Sequence, residues 1–156
     1  MQVFVPFSKP MACAMVLDSR RLNKQVIECR QILAAIWGES NAWKNHPCVK
    51  MYREHEQWLE YYMNCLDCAR EARALHHEDV DEGLELLELA EEWSHKAEAI
   101  TPDFLTEEFC EQHRRRLYTK NEEVYSQFKK YGTSYENWYF VDGELLRYAN
   151  GKRITE

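Results

Sequence analysis

The sequence has no long run of apolar residues. None of its apolar stretches approaches the ~18–20 residues that a membrane-spanning helix needs. The N-terminal stretch MQVFVPFSKP has no charged leader before an apolar segment, so no secretion signal is predicted. No internal repeat or low-complexity linker interrupts the chain. With 156 residues, 45% of them hydrophobic and 13% aromatic, we expect a single globular, cytoplasmic domain over residues 1–156.

An excess of positive charge is also missing, because the net charge is −7. The distribution is uneven, with +5 over residues 1–53, −11 over 54–100 and −1 over 101–156. Phosphate neutralisation supplies most nonspecific affinity for DNA, so an acidic chain does not suit nonspecific DNA binding. An anionic ligand is therefore expected to meet the basic N-terminal third or the cluster HRRRLYTK, residues 113–120.

The sequence around the six cysteines lacks the turn residues that a zinc knuckle contains. Cys65-x-x-Cys68 and Cys110-x-x-His113 have the spacing of zinc ligands, but both pairs lie in strongly helical sequence. Without a secretion signal, reduced thiols are expected rather than disulfides. Small buried apolar side chains are the favoured interpretation. No metal and no other cofactor is predicted.

Periodicity and capping signals predict a mainly α fold, a helical bundle with a small antiparallel β-meander at the C-terminus. An extended segment is expected at 3–7. Helices are expected over residues 10–17, 19–37, 47–74, 78–98, 106–118 and 121–130. Residues 76–100 form an acidic helical insertion whose carboxylates are most simply a solvated face. The dipeptides DG and NG between β-rich runs predict hairpins within residues 137–154.

The second predicted helix, LDSRRLNKQVIECRQ, has a polar stripe. Its residues recur at three- and four-residue steps: Arg21, Lys24, Gln25, Glu28 and Gln31. Ile32 falls within this stripe and Ile27 lies on a third side, although Leu22 and Val26 already define a core face. A helix that is apolar on several sides is usually covered by other parts of the protein. Its charged side chains then need ion-pair or hydrogen-bond partners, or a ligand. A solvated surface and the lining of a cleft both remain open.

Two further polar clusters could likewise be either structural or part of a binding site. In KNHPCVKMYREHE, Asn45 and His46 stand at a helix start, followed by Lys50 and Arg53. They are either a simple cap or a pocket for a phosphate or carboxylate. In QHRRRLYTKN, His113, Arg116 and Lys120 share one helix face. They either complement the helix dipole or bind phosphates beside nearby aromatic rings.

The order of these clusters resembles a known family. The motifs are D-x-RRL-x-KQ-x-x-E-x-x-Q-x-L, then W-x-NHP-x-x-K-M-x-R-x-x-E, then F-x-x-x-H-x-x-x-L-x-x-K with Y-x-x-F after it. They resemble the bacterial and phage pyrimidine-dimer DNA glycosylases, named after the phage endonuclease V type of repair enzyme. The similarity covers residues 1–75 and about 102–152.

The resemblance implies a helical enzyme that excises damaged bases and then cleaves the strand. In that enzyme type the N-terminal amine forms a Schiff base with the sugar, a glutamate near the start of the main helix transfers protons, and arginines bind phosphates. This sequence differs at two positions. Residue 2 is Gln2, which is too large for normal removal of Met1, and Arg21 stands where the glutamate would align.

The first hypothesis is therefore a glycosylase/lyase acting on DNA. The candidates for the nucleophile and proton transfer are Met1, Asp18, Glu28, His46 and His113. The candidates for phosphate binding are Arg20, Arg21, Lys24, Lys50, Arg53, Arg114 and Lys120. Gln25, Gln31 and Asn45 would contact a base or sugar. The second hypothesis is a protein that binds a free nucleotide or small anion through the same basic residues. The oligomeric state and the role of the acidic segment stay open.

Overall fold

The computed structural model describes residues 1–75 and 80–155. Within them the chain forms six α-helices, one 3₁₀ helix and a three-stranded sheet. The helices are α1 (Pro10–Val16), α2 (Ser19–Ile36), α3 (Pro47–Tyr52), α4 (Glu56–Leu75), α5 (Val80–Glu98), α6 (Glu107–Lys120) and the 3₁₀ helix Ser126–Tyr131. The strands are β1 (Glu136–Val141), β2 (Glu144–Ala149) and β3 (Lys152–Arg153). The predicted fold class is confirmed.

Local signals placed several of these elements correctly. Thr106 precedes α6, and its hydroxyl accepts a hydrogen bond from the Phe109 amide at 3.3 Å. The C-terminal strands pair in the antiparallel order β1-β2-β3. Asp142 and Gly143 both have positive φ angles, 51° and 76°, as the two-residue hairpin turn requires. The DG and NG dipeptides were therefore reliable signals for the meander.

Two predicted helices differ from the observed ones. Instead of one helix over 47–74, α3 ends at Tyr52, a turn closes with the His55 amide bonded to the Tyr52 carbonyl at 2.8 Å, and α4 begins at Glu56. The apolar spacing continues through the break, and no glycine or proline marks it. The segment 121–130 forms only the 3₁₀ helix. The predicted start of the acidic helix at residue 78 lies outside the described residues.

Helix α5 packs against α4 through small residues. Ala90, Ser94 and Ala97 are buried, whereas Leu84 is 54% exposed. The described glutamates of α5 are exposed: Glu85, Glu88, Glu91, Glu92 and Glu98. The acidic side chains are thus a solvated face, as predicted. Among the described residues, no helix combines the length and apolarity that a membrane crossing requires.

The six cysteines are all buried with free thiols. Cys65 donates to the Ala90 carbonyl and Cys13 to the Phe7 carbonyl, each at 3.1 Å. The interpretation of these residues as small buried side chains is confirmed.

The N-terminal segment, residues 2–6, is buried although it pairs with no strand in the described part of the chain. Gln25 of α2 occupies the place of a strand partner. Its amide oxygen accepts from the Phe4 amide at 2.8 Å, and its Nε2 donates to the Gln2 carbonyl at 2.9 Å. Further side chains bond to the segment: Tyr62 to the Phe4 carbonyl, His113 to the Val5 amide, and Arg114 to the Pro6 carbonyl.

We expect Gln25→Leu to lower the free energy of unfolding by about 2–5 kcal/mol, because a backbone amide and a carbonyl would be left buried without partners. Urea denaturation of the purified variant measures this loss. Gln31→Leu, at an exposed position on the same helix, is the control and should change stability by less than about 0.5 kcal/mol. Equal stabilities for the two variants would contradict the clamping role.

Candidate active site

Four cationic side chains gather beside the N-terminal segment. Arg21 and Lys24 come from α2, and Arg116 and Lys120 come from α6. The Arg21 guanidinium and the Lys120 ammonium lie 6.0 and 5.9 Å from the centre of the Phe4 ring. Partial desolvation, together with Arg21, Arg116 and Lys24, lowers the pKa of Lys120 to about 8. Cations held this close together without neutralising one another create a strong local preference for an anion.

The lowered pKa of Lys120 predicts a pH-dependent affinity for phosphate. Below about pH 8 the free protein carries the Lys120 charge, and a bound phosphate stabilises that charged form. Affinity for a phosphate-bearing ligand should therefore be full below pH 8 and fall by up to about tenfold per pH unit above it. Binding measured from pH 7 to 9 by fluorescence anisotropy tests this. Lys120→Arg should remove the fall, and identical profiles for both proteins would contradict the prediction.

Glu28 brings a carboxylate to the same cluster. It accepts a hydrogen bond from Gln25 Nε2 at 2.9 Å and lies 3.9 Å from the Lys24 ammonium. Its side chain is only 13% exposed. Its negative charge contributes to raising the pKa values of four neighbours: Cys29, Cys48, Lys120 and Tyr139. Glu28 is therefore oriented by the glutamine that also holds the N-terminal segment.

The N-terminal residue lies on the same side of the molecule. The Tyr139 hydroxyl donates to the Met1 carbonyl at 2.8 Å, and the Tyr139 ring meets the His46 ring edge-on at 5.6 Å. Desolvation and the N-terminal ammonium lower the pKa of His46. Burial raises the pKa of Cys48 to about 12, and both the N-terminal ammonium and Glu28 act on that thiol. The amine and the carboxylate thus lie within electrostatic reach of one thiol.

Helix α3 starts beside this cluster. His46 caps the helix, because its Nδ1 accepts from the Cys48 amide at 3.1 Å. Asn45 is exposed immediately before it. The helix start predicted from the NHP motif is correct. Its cap is His46 itself, whose Nδ1 is occupied by the helix backbone.

Three predicted site residues are instead occupied by the N-terminal segment. Gln25 uses its amide on Gln2, Phe4 and Glu28, and is 1% exposed. His113 is 1% exposed, and its Nδ1 accepts from the Val5 amide at 2.7 Å. Burial, followed by the charge of Arg116, lowers the pKa of His113 to about 3, which keeps the ring neutral at physiological pH. These positions suit a structural role better than base contact or proton transfer.

Arg114 is the third of these residues to face inward. It is 3% exposed, donates to the Pro6 carbonyl at 2.7 Å and forms an ion pair with Glu107. Its guanidinium also lies over the Tyr131 ring at 4.5 Å. A guanidinium buried among these partners is not accessible to a phosphate. Arg114 therefore has a structural role, and its prediction as a phosphate ligand is wrong.

Asp18 and the outer face of α2 lie at the edge of the cluster. The Asp18 carboxylate accepts from the Tyr125 hydroxyl, and this bond together with burial raises the pKa of Tyr125. The charge of Arg21 acts on the same hydroxyl, so the pair lies beside Arg21. Arg20 and Gln31 are exposed.

Lys50 and Arg53 lie apart from the cluster. They line a separate cleft of about 650 Å³, whose walls include Phe104 and Phe140. Successive side chains of a strand point to opposite faces, so Phe140 in this cleft and Tyr139 at the cluster lie on the two sides of β1. The Arg53 guanidinium also donates to the Lys44 carbonyl at 2.9 Å. These two cations are not brought together with Arg21 and Lys120.

Arg116 and Tyr139 belong to the cluster but are absent from the predicted site set. Arg116 lies one turn before Lys120, and its guanidinium donates to the Asn137 side chain and the Ser134 carbonyl at 3.1 and 3.2 Å. Its four-residue spacing from Lys120 had placed it on the same helix face in the sequence, although it was not among the chosen phosphate ligands. The contact of Tyr139 with Met1 joins residues 138 positions apart, and no local pattern indicates it.

Comparison with known proteins identifies a family. A family model described as pyrimidine dimer DNA glycosylase matches residues 1–82, more than half of the 156 residues. The matched part contains the N-terminal segment, α2 and α3, and therefore Met1, Glu28 and His46. No curated protein and no solved structure matches the chain. The chain belongs to the pyrimidine dimer DNA glycosylase family.

Proposed function

We propose that this protein is a base-excision glycosylase/lyase that acts on damaged pyrimidines in DNA through its N-terminal amine. The observation that carries the proposal is the convergence of the Met1 residue, the Glu28 carboxylate and four cations around the N-terminal segment. An amine, a proton-transferring carboxylate and phosphate-binding cations are the groups that this chemistry needs. Membership of the family supports the same reaction class.

The reaction follows from these groups. The neutral Met1 amine attacks C1′ of the damaged nucleotide and then gives up one proton, the C1′–N bond breaks, and the base leaves with the bonding electron pair and takes up a proton. The sugar ring opens as O4′ accepts a proton, and the amine nitrogen forms an imine to C1′. Removal of a C2′ proton then expels the 3′ phosphate, and water releases the amine from the imine.

Glu28 is the proposed proton carrier for these steps. It occupies a position two turns further along α2 than the glutamate implied by the family pattern. Seven residues are close to two helical turns, so Arg21 and Glu28 lie on the same face of α2. The N-terminal segment runs beside Gln25, and its amide links Glu28 to the Gln2 carbonyl. The carboxylate is thereby directed toward the start of the chain.

Arg21, Lys24, Arg116 and Lys120 are the proposed phosphate ligands. Four phosphate contacts would give a slope of about −3.6 for the logarithm of the association constant against the logarithm of salt concentration. A flat salt dependence would argue against contact with the DNA backbone. His46, with its Nδ1 bonded to the helix backbone, is proposed to position the amine rather than to carry protons.

Borohydride trapping on duplexes that contain a pyrimidine dimer or an abasic site tests the proposal. A lyase forms an imine that borohydride reduces to a stable covalent adduct, so the wild-type protein should migrate as a cross-linked band. Absence of the adduct on both duplexes would overturn the lyase function. Mapping the modified residue by mass spectrometry identifies the amine.

A second function is favoured by the acidic surface. The net charge is −7, and the four cations form one small patch, which would suffice for the phosphates of a free nucleotide. Such a binding protein needs neither a reactive amine nor a glutamate at the helix start. Tight binding of a nucleoside diphosphate, together with absence of trapping, would favour this function over the first.

We also propose that residues 1–156 form a single domain. One continuous cluster of buried side chains contains residues from the N-terminal segment, from all six described α-helices and from β1. Helix α5 joins this cluster through Ala90 and Ala97, so the acidic insertion is part of the same core. A single cooperative transition in thermal unfolding would support this organisation.

A further inference from the structure

Trp43 has a backbone conformation that is unfavourable for its size. It lies in the loop between α2 and α3 with a φ angle of 65°, in the left-handed region. A bulky residue with positive φ is a true outlier, and such conformations persist where the surrounding structure holds them. The indole is nevertheless 50% exposed, so burial of the ring does not account for the strained backbone.

The loop around Trp43 is held by several contacts. The Trp43 carbonyl accepts from the His46 amide at 2.8 Å, and the Lys44 carbonyl accepts from Arg53 at 2.9 Å. The Trp43 indole meets the His46 ring edge-on at 5.8 Å, and His46 meets Tyr139 in the same way. A series of three rings thus leads from the exposed indole to Tyr139, whose hydroxyl bonds to the Met1 carbonyl.

Another exposed tryptophan provides a comparison. Trp37 is 48% exposed, but it has ordinary right-handed backbone angles, and its indole N–H donates to Glu56 at 3.1 Å. No hydrogen bond found among the described residues involves the indole N–H of Trp43. Trp37 therefore has a hydrogen-bond partner within the protein, whereas the half-exposed Trp43 indole contacts the His46 ring and makes no such bond among the described residues.

We propose that the Trp43 indole stacks on the base attached to the sugar that reacts. This inference rests on the proposed glycosylase function and names a further substrate contact in that site. The His46 ring lies between Trp43 and Tyr139, and Tyr139 contacts the N-terminal residue, so ring contacts connect the exposed indole to the residue that carries the attacking amine. Cations that bind phosphates and a ring that stacks on a base are complementary parts of nucleic-acid recognition.

The test measures binding to two duplexes that differ only at the target position. One contains a pyrimidine dimer and the other a reduced abasic site. Trp43→Ala should weaken binding to the dimer duplex by about tenfold or more, since stacking on one base contributes that much. Trp43→Phe should stay within about threefold of the wild type, and Trp37→Ala should not change. All four proteins should bind the abasic duplex equally, because it has no base to stack.

Trp43→Gly separates the ring from the backbone, because glycine adopts positive φ without strain. It should lose the same affinity as Trp43→Ala. Recovery of binding in the glycine variant would overturn the proposal in favour of a loop effect. Equal losses on both duplexes, or a Trp43→Ala variant that binds the dimer duplex as well as Trp37→Ala, would also overturn it. If the wild type binds neither duplex, the proposed function fails and this inference fails with it.

Discussion

Glu28→Gln should reduce the rate of strand cleavage by about 10²–10⁴-fold, the usual contribution of a positioned proton-transfer group. The substitution preserves shape, and the new amide oxygen can still accept the bond from Gln25 Nε2 that Glu28 now accepts at 2.9 Å. The amide cannot exchange protons with the substrate, so the loss should appear in the rate of the chemical step. Single-turnover cleavage of a dimer duplex measures this rate directly.

Asp18→Asn is the matched control for this variant. Asp18 is the carboxylate that immediately precedes α2, and it accepts from the Tyr125 hydroxyl at the edge of the cluster. Its removal should leave the cleavage rate within about threefold of the wild type if Glu28 carries the protons. The opposite pattern, a large loss in Asp18→Asn and full activity in Glu28→Gln, would transfer the role to Asp18. Salt-dependent binding of both variants should match that of the wild type.

The helices and hairpins could be predicted because their signals are local. The Thr106 cap and the DG turn each fix a backbone conformation within a few residues. The break between α3 and α4 left no such signal, since the apolar spacing is the same on both sides of it. A helical period shows which residues share a face, but it does not show where one helix ends and the next continues the pattern.

The site was predictable only in part, and the reason is physical. Gln25, His113 and Arg114 have the side chains of ligand-binding residues, and their helical spacing is the same whether they meet a ligand or a backbone. The buried N-terminal segment has no sheet partner among the described residues and takes its hydrogen bonds from these side chains. These hydrogen bonds join residues far apart in sequence, so no local pattern could predict them. The polar clusters of α2 and α6 contribute Arg21, Lys24 and Lys120 to one group of cations, and their role as a binding site stays a prediction.

The polar stripe of α2 also shows that helical spacing does not reveal which side chains are covered by the protein. Its inner part is covered, since Gln25 and Ile32 are buried and Glu28 is nearly so. Its outer part is solvated, with Lys24 and Gln31 exposed. The cleft and the surface were alternatives in the sequence, and the helix has a buried inner part and a solvated outer part. Gln25, in the buried part, meets the N-terminal segment.

A short N-terminal extension should abolish covalent trapping. Two additional residues, Gly-Ser, placed before Met1 would move the reactive amine by up to about 7 Å along the chain. Misplacement of a reacting group by even ~1 Å can cost about 10²-fold, so trapping should fall at least that much. The extension should be tolerated by the fold, because Met1 is partly exposed and the bonds that clamp the segment begin at the Met1 and Gln2 carbonyls.

The same Gly-Ser pair added after Glu156 is the control, and it should leave trapping unchanged. DNA binding should be retained in both proteins, since the four cations do not depend on the position of the amine. Undiminished trapping in the N-terminally extended protein would show that another amine attacks the sugar. Lys120 would then be the first candidate, because its pKa of about 8 leaves a substantial neutral fraction near physiological pH. Lys120→Arg, which keeps the charge but cannot form the imine, separates the two: loss of trapping in that variant alone would place the nucleophile on α6 rather than at the start of the chain.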